Sequence, residues 1–524
     1  MAALVVGGLV CILTVVGWFS HVLAGGGTKR GLASGFTITT SMSRTAMWLT
    51  TVFTRPQTRC WPWKTPARAM GIELGVVRWF GVLRRRVFAS LESVVLVFGP
   101  PGSRKTRGEL ANHAIDAAGA AVVTSTKLDI VTDTAPYRHG ARLFNPAGLG
   151  GDNIPDGVAP LRFNPVVGCD RPTGAEKRAD YLLRGAGEGK GLSDAEFWRT
   201  NAFRALRCLL AAAALDGRDL RTVKWWADSL REDRPIDLLG TDEARATFPG
   251  WADELRSFRE ADEKLRGSVS ITLTRAFGFM GDPQVLAAIC PGFDGEPFES
   301  FESFDARAFL EQDGTLYIVG EGEKLSPLFS ALTGYIYEEA VVYAATQRKH
   351  RLDPPLTLVL DEAANICKVP LPKWSSTARG NGIAIIIGLQ SKSQLHAVWG
   401  DRDGETVWNN AAIKVAFGGL SLPADLEALS MLSGRRWVLQ HGRLAQENVL
   451  LPEDIAHLPT GVALLLHRNA RAVLVTVREV DKRRDLHGRR QTTVTEDVRP
   501  ARRGNVVFLS EWLRQRREKK ENVA

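Results

Sequence analysis

The feature that most restricts what this chain can become is the stretch Val94 to Thr106, VVLVFGPPGSRKT. A short apolar run rich in β-branched residues stops at Gly-Pro-Pro-Gly, and Lys105-Thr106 open a segment of helical spacing, TRGELANHAIDAAG. That order suits a buried parallel strand feeding a loop and then a helix. Gly99, Lys105 and Thr106 stand at the spacing of a phosphate-binding loop: Gly, four residues, Gly-Lys, then Ser or Thr. The loop Gly99-Pro100-Pro101-Gly102-Ser103-Arg104-Lys105-Thr106 departs from the pattern once: Arg104 holds the second glycine's place, and Gly102 falls two places early. Glycine before the lysine lets the backbone approach phosphates with no Cβ in the way. If arginine there only adopts a sparsely populated backbone angle, the cost is about 1–3 kcal/mol; a clash of its side chain with the phosphates would cost more, and its charge would partly compensate only if it pointed toward the anion.

The surrounding pattern supplies the context such a loop needs. AAVVTST reads as a second buried strand, ending near Lys127 and Asp129, which completes a strand–loop–helix–strand unit. ARLFNPAG is a third strand and RFNPVVG a short extended piece. From Gly174 to about Gln284 the period changes to that of helices, in DAEFWRTNAFRALRCLLAAAALDG and LRTVKWWADSLRE among others. Phe197, Trp198, Trp225 and Trp226 in this region read as core residues rather than a base-stacking platform. Strands return in GTLYIVGE, LTLVLDEAANI, GIAIIIGLQS and IKVAFGG, and GVALLLHRN with RAVLVTVRE reads as a hairpin across Asn469-Ala470. The fold class is α/β with an inserted all-α domain. The expected boundaries are a nucleotide-binding part at 91–170, the helical insert at 171–300 and a second nucleotide-binding part at 301–480.

A second motif carries chemistry. In Leu356 to Glu362, LTLVLDE, an apolar strand ends in paired carboxylates, the Walker B arrangement. Asp361 at the strand tip would hold Mg²⁺, usually through water, and Glu362 would orient or deprotonate an attacking water. With the upstream loop, Lys105 would contact the β- and γ-phosphates, Thr106 would ligate Mg²⁺, and the loop amides would cradle phosphate oxygens. Gln390 ends the strand IAIIIGLQ, where a polar side chain can sense the γ-phosphate. Arg379, in STARGNG just before that strand, stands where its guanidinium can reach a neighbouring subunit's nucleotide as a finger. Each of these, taken singly, also reads as a polar residue at a strand end.

Charge and hydropathy add the edges of the molecule. Ala2 to Ala24 contains no Lys, Arg, Asp or Glu, and as a helix it would span roughly 35 Å, enough for a bilayer core. Lys29, Arg30, Arg44, Arg55 and Arg59 follow, which by the positive-inside tendency places them in the cytoplasm. The reading is a single-pass anchor at 2–24 in the cell membrane, the bulk of the protein cytoplasmic, with a juxtamembrane linker at 25–90. A cleaved signal peptide ending at Val22-Leu23-Ala24 is the alternative, although the run lacks a basic start. The last segment, 481–524, holds thirteen Lys and Arg against seven Asp and Glu. A basic tail of this kind suits an anionic partner such as DNA or acidic lipid, or is simply solvated. The six cysteines are scattered, so neither a disulfide framework nor zinc is supported.

Taken in order, these stretches resemble the type IV secretion coupling proteins, the TraG/TraD-type conjugative ATPases, especially those of actinobacterial mobile elements. The resemblance rests on VFGPPGSRKTRGEL, AAVVTSTKLDIV, RFNPVVGCDRP, AEFWRTNAFRALRCLLAAAAL, GTLYIVGEGEKLSPLFSALT, LVLDEAANI, GIAIIIGLQSKSQL and LPTGVALLLHRNARAVLV, across about residues 90–480. It implies a membrane-anchored RecA-like P-loop ATPase that uses ATP and Mg²⁺ and forms hexameric rings. It further implies binding of DNA without strong sequence preference, and delivery of a relaxase–DNA complex to a secretion channel. By position Lys105 and Thr106 match the family's P-loop, Asp361 and Glu362 its Walker B motif, Gln390 its glutamine motif and Arg379 its trans-acting arginine. The inserted helical domain is the family's candidate for relaxosome contact. Many relatives read Gly-Pro-Pro-Arg-Ser-Gly-Lys-Thr, so here the arginine and the second glycine have exchanged places. Many also carry two membrane spans where this chain shows one. The rival readings are an FtsK/HerA-like pump acting on double-stranded DNA inside the cell, and a non-catalytic membrane adaptor with a degenerate loop.

Overall fold

The structure, a computed structural model, describes residues 71–79, 83–151, 153–187, 195–293, 301–440, 443–468 and 470–486. The apolar run at 2–24, most of the expected linker and the basic tail beyond Leu486 lie outside the described residues. Among the described residues no helix is long and apolar enough to cross a membrane.

In chain order the strands among these residues are β1 (Ile72–Trp79), β2 (Leu83–Ala89), β3 (Val94–Phe98), β4 (Ala121–Ser125), β5 (Ala141–Phe144), β6 (Ala159–Pro160) and β7 (Thr315–Val319). They continue as β8 (Leu356–Leu360), β9 (Ile383–Leu389), β10 (Ile413–Phe417), β11 (Arg435–Gln440), β12 (Arg443–Asn448), β13 (Val462–His467) and β14 (Ala470–Thr476). The chain divides into two compact units. The first holds the described residues up to Gly119, with Leu352–Val359 and the residues from Ser375 onward. The second holds Ala120–Arg351 and Leu360–Trp374.

In the first unit the sheet order is β2-β1-β14-β13-β10-β3-β9-β8. β3 lies between β10 and β9 and is parallel to both, with Val97 opposite Val415 on one side and Gly388 on the other. Every residue of β3 and β9 is buried. That explains why both read as continuous apolar runs rather than alternating ones, since parallel strands are covered on both faces. β13 runs antiparallel to β10 and pairs antiparallel with β14, as the sequence reading expects. β14 then pairs with β1, and β1 with β2. The end of the expected 25–90 linker therefore holds sheet, the antiparallel pair β1 and β2. Arg85 and Arg86, exposed beside buried Val87 and Phe88, hid that strand in a basic run.

Past β14 the chain is fastened to the helical turn that follows the β3 loop. Asn112 donates to the Arg478 carbonyl, and Arg478 Nη2 donates to Glu73 of β1 at 2.6 Å. Arg483, with its side chain 3% exposed, donates to Asp116 at 2.7 and 2.9 Å and to Asp485 at 2.6 Å. Burial alone would raise the Asp485 carboxyl, but hydrogen bonds and charge from Arg483 prevail and bring it down to about 2. Such a depressed carboxylate stabilises the fold above the usual carboxylate range. The contribution is lost as pH falls from that range through about 2. Arg483→Ala strands Asp116 and Asp485 without their common cation. Thermal or urea melting at neutral pH is expected to show a loss of about 2–3 kcal/mol, less than for a fully buried pair because the carboxylates keep some water.

In the second unit β4, β7, β5 and β6 form a parallel sheet in that order. Between β6 and β7 the elements among the described residues are helices, from Pro172–Ala186 to Ala306–Glu311. Helix Leu220–Ser229 shows how the pattern works locally. Asp219 caps it by accepting from the Arg221 N–H, and Val223 and Trp226 are buried. Trp226 is thus core as read from the sequence, whereas Phe197 and Trp225 stand exposed. Helix Ser326–Thr346 is apolar around most of its circumference and packs on Pro172–Ala186. A Cβ on its Gly334 would lie 2.4 Å from the Tyr181 ring, so glycine sets how closely the two helices approach.

Candidate nucleotide site

The loop after β3 closes on itself through its first glycine. A Cβ on Gly99 would stand 2.4 Å from Ser103 Oγ and 3.2 Å from Phe417, so no other residue fits without displacing the loop. Gly102 has φ +82°, in the left-handed region. Arg104 has φ +68°, the unusual angle expected for a side chain in the glycine position, with a strain of about 1–3 kcal/mol. Its guanidinium forms an ion pair with Glu479, just beyond β14. Lys482 Nζ donates to the same Glu479 oxygen at 2.6 Å. Hydrogen bonding from Lys482 first, then the charge of Arg104, holds the Glu479 carboxyl below the usual range despite its partial burial. Thr106 opens a wide π-turn, Thr106–Leu110, that passes into helix Ala111–Ile115. Such turns gather at functional sites.

Lys105 is 7% exposed, and its Nζ lies 3.4 Å from the Leu389 carbonyl. The same carbonyl accepts the Gly99 N–H at 3.1 Å. Leu389 is the last residue of β9, and Gln390 follows, its own N–H donating to Gln394 Oε1 at 2.8 Å. Lys105 and the Gly99 N–H thus converge on one carbonyl, at the end of β9 that Gln390 follows in the chain. Arg379 is exposed in the turn before Ile383, at the other end of β9. Seven extended residues separate the two ends by roughly 20 Å, so within one chain Arg379 is remote from the loop. A cleft of about 310 Å³ opens beside Pro100–Ser103, walled by Phe417–Gly419 and Leu458–Val462.

The paired carboxylates begin the second unit's return segment, directly after β8, and β8 neighbours β9 in the first unit's sheet. Asp361 is 4% exposed. Its N–H donates to the Thr124 carbonyl at 3.3 Å, and the Thr124 hydroxyl donates to the Asp361 carbonyl at 3.2 Å, so β4 fixes its backbone. Asp361 Oδ1 accepts the Glu362 N–H at 3.0 Å, and Glu362 Oε2 accepts from Asn365 at 3.2 Å. Glu362 has φ +49°. Of six non-glycine residues with positive φ among those described, two are therefore Arg104 and Glu362, each in a motif. Backbone strain concentrates where ligands are clamped and reactions are carried out.

The residues present fit a phosphate-bearing ligand. Ser103 Oγ is buried without a hydrogen-bond partner among the described residues, in a turn that only glycine at 99 can close, two residues before Lys105. The Thr106 hydroxyl in the first unit and the Asp361 carboxylate in the second are each hard oxygens of the kind Mg²⁺ takes. Among the described residues no cluster of three His, Cys, Asp or Glu could cage a metal unaided, so phosphate oxygens and water would complete its shell. Two contributors escaped the sequence reading. Thr124 sat inside an apolar run, and Glu479 lies 375 residues from its partner.

Residues 355–459 match the family model described as the TraM recognition site of TraD and TraG. The fold is similar to that of the bacterial conjugative coupling protein TrwB. Against its TrwBdeltaN70 unbound monoclinic form the TM-score is 0.55 at 20% identity, covering 77% of this chain and 89% of that one. Against TrwB with the non-hydrolysable GTP analogue GDPNP it is 0.52 at 20% identity, covering 74% and 85%. Against TrwB with ADP and Mg²⁺ it is 0.52 at 20% identity, covering 77% and 86%. No curated protein matches the sequence.

Proposed function

We propose, from a chain that carries the TraG/TraD-type coupling-protein domain at 355–459 in the fold of a conjugative coupling protein, that it is the ATPase of a type IV secretion or conjugation system. On this reading it turns ATP hydrolysis into movement of DNA or nucleoprotein. The observation that carries it is the convergence of Lys105 and the Gly99 N–H on the Leu389 carbonyl, in a loop whose Ser103 hydroxyl is buried without a partner among the described residues. Nucleotide and Mg²⁺ at the related TrwB fold support the same choice of ligands.

In that role the Gly99–Thr106 amides and Lys105 hold the phosphates, and the cleft beside Pro100 has room for sugar and base. Thr106 and Asp361 hold Mg²⁺, which when bound neutralises phosphate charge. Glu362 takes the proton of the attacking water and Gln390 positions that water against the γ-phosphorus. Arg379 acts on the nucleotide of a neighbouring copy, which its place at the far end of β9 favours and which a homohexameric ring would provide. The partners on this reading are DNA bound without strong sequence preference, a relaxase complex and the channel proteins. The segment at 2–24 would tether the chain to the inner membrane with its bulk in the cytoplasm.

Turnover of ATP by the full-length chain in detergent, with and without DNA, tests the reading. Turnover is expected to rise severalfold with DNA, and the stimulation to fade as salt displaces phosphate contacts. Absence of turnover with DNA still bound would favour the adaptor reading. Restoration of conjugative transfer in a deletion strain, against no effect there, separates export from an intracellular pump.

A further inference from the structure

We infer that Glu479 is a positioning residue for the nucleotide site. By holding the Arg104 guanidinium it keeps the loop in the left-handed conformation that glycine ordinarily supplies. The inference rests on the phosphate-site reading of Gly99–Thr106 and deepens it.

The loop's backbone must turn through positive φ immediately before Lys105, and here the residue that does so has a long charged side chain. Such a residue needs an external restraint, because the left-handed well is disfavoured for every residue with a Cβ and the unbound chain has other conformations to visit. Glu479 provides it. Its carboxylate is 15% exposed, shared between Arg104 and Lys482, and held ionised by both. It is anchored in its turn. The residue before it pairs with Glu73 of β1, its carbonyl accepts from Asn112, and Arg483 four residues on grips Asp116. Asn112 and Asp116 belong to the helical segment that Lys105 and Thr106 open, so the anchor is fixed to the element it restrains. The approach is close: a Cβ on Gly108 would stand 3.1 Å from the Val477 side chain. An arginine whose charge is already shared with a fixed carboxylate is a restraint on the loop and does not have to serve as a phosphate ligand.

The experiment is a four-variant cycle in the full-length chain, with fluorescent ADP and Mg²⁺ as the probe and melting temperature as the second readout. The parent, Glu479→Ala, Arg104→Gly and the double variant are compared, with Lys105→Ala as the control for the site itself. Glu479→Ala is expected to weaken ADP binding by roughly tenfold, and Arg104→Gly in that background to restore it to within about twofold of the parent. Rescue of affinity by Arg104→Gly is what a merely structural Glu479 would not give, since loss of its Lys482 contact remains in both backgrounds. Affinity unchanged in Glu479→Ala while Lys105→Ala abolishes binding would overturn this inference and leave the site reading intact. Tighter binding in Glu479→Ala would overturn it as well, marking Arg104 as a phosphate ligand held back by the acid. Binding by Lys105→Ala equal to the parent would remove the site reading and this inference together.

Discussion

Lys105→Ala is expected to abolish nucleotide binding, with affinity for ADP and Mg²⁺ falling at least about 100-fold, or roughly 2.7 kcal/mol. The size follows from the environment. The amine is nearly buried, and its Nζ lies 3.4 Å from the Leu389 main-chain carbonyl. Charge-assisted hydrogen bonds of a buried ammonium to phosphate are each worth about 1.5–3 kcal/mol, and alanine deletes all of them. Isothermal titration or fluorescence binding reads the effect directly. Melting of the same variant provides the control, since a loop that collapses would lose stability along with affinity. Retained affinity in a folded Lys105→Ala protein would remove the nucleotide site from the loop after β3.

The second large effect separates chemistry from binding. Glu362→Gln is expected to leave ATP affinity within about threefold of the parent while turnover falls about 10²–10⁴-fold, the range a positioned general base contributes. Glutamine keeps the length of the side chain and can still accept from Asn365, as Glu362 Oε2 does at 3.2 Å. What it loses is the basic oxygen. The left-handed backbone at φ +49° is equally unfavourable for both residues, so the substitution adds no new strain. Single-turnover hydrolysis beside equilibrium binding makes the distinction. A fall in affinity that matches the fall in rate would mean that Glu362 holds the site together rather than working in it.

Much of this was legible in the sequence because parallel strands buried on both faces leave a plain trace. β3 and β9 are uninterrupted apolar runs, β8 is broken only by buried Thr357, and the polar residues that follow two of them, Asp361 and Gln390, mark their tips. Half-exposed strands were not legible. β2 carries three arginines in succession, and the β11–β12 hairpin mixes Arg435, Trp437, Gln446 and Glu447 without a buried face to enforce alternation. The expected angle at Arg104 followed from its place in the motif. Its partner did not, because nothing local to Glu479 announces a contact 375 residues away. Nor does any pattern of residue types give Glu362 its backbone turn or Asp361 its two bonds to Thr124. Those are properties of pairing between distant segments.

The contact between Arg104 and Glu479 is also unequal in what each residue needs from the other. Glu479 has Lys482 three residues away as a second partner, so an acid there is comfortable whichever residue occupies position 104. The reverse does not hold, because an arginine at φ +68° without the acid carries both the strain and an unshared charge. The arginine therefore depends on the acid, and the acid does not depend on the arginine. With glycine at 104 the acid at 479 is dispensable to the loop, whereas with arginine there it is not.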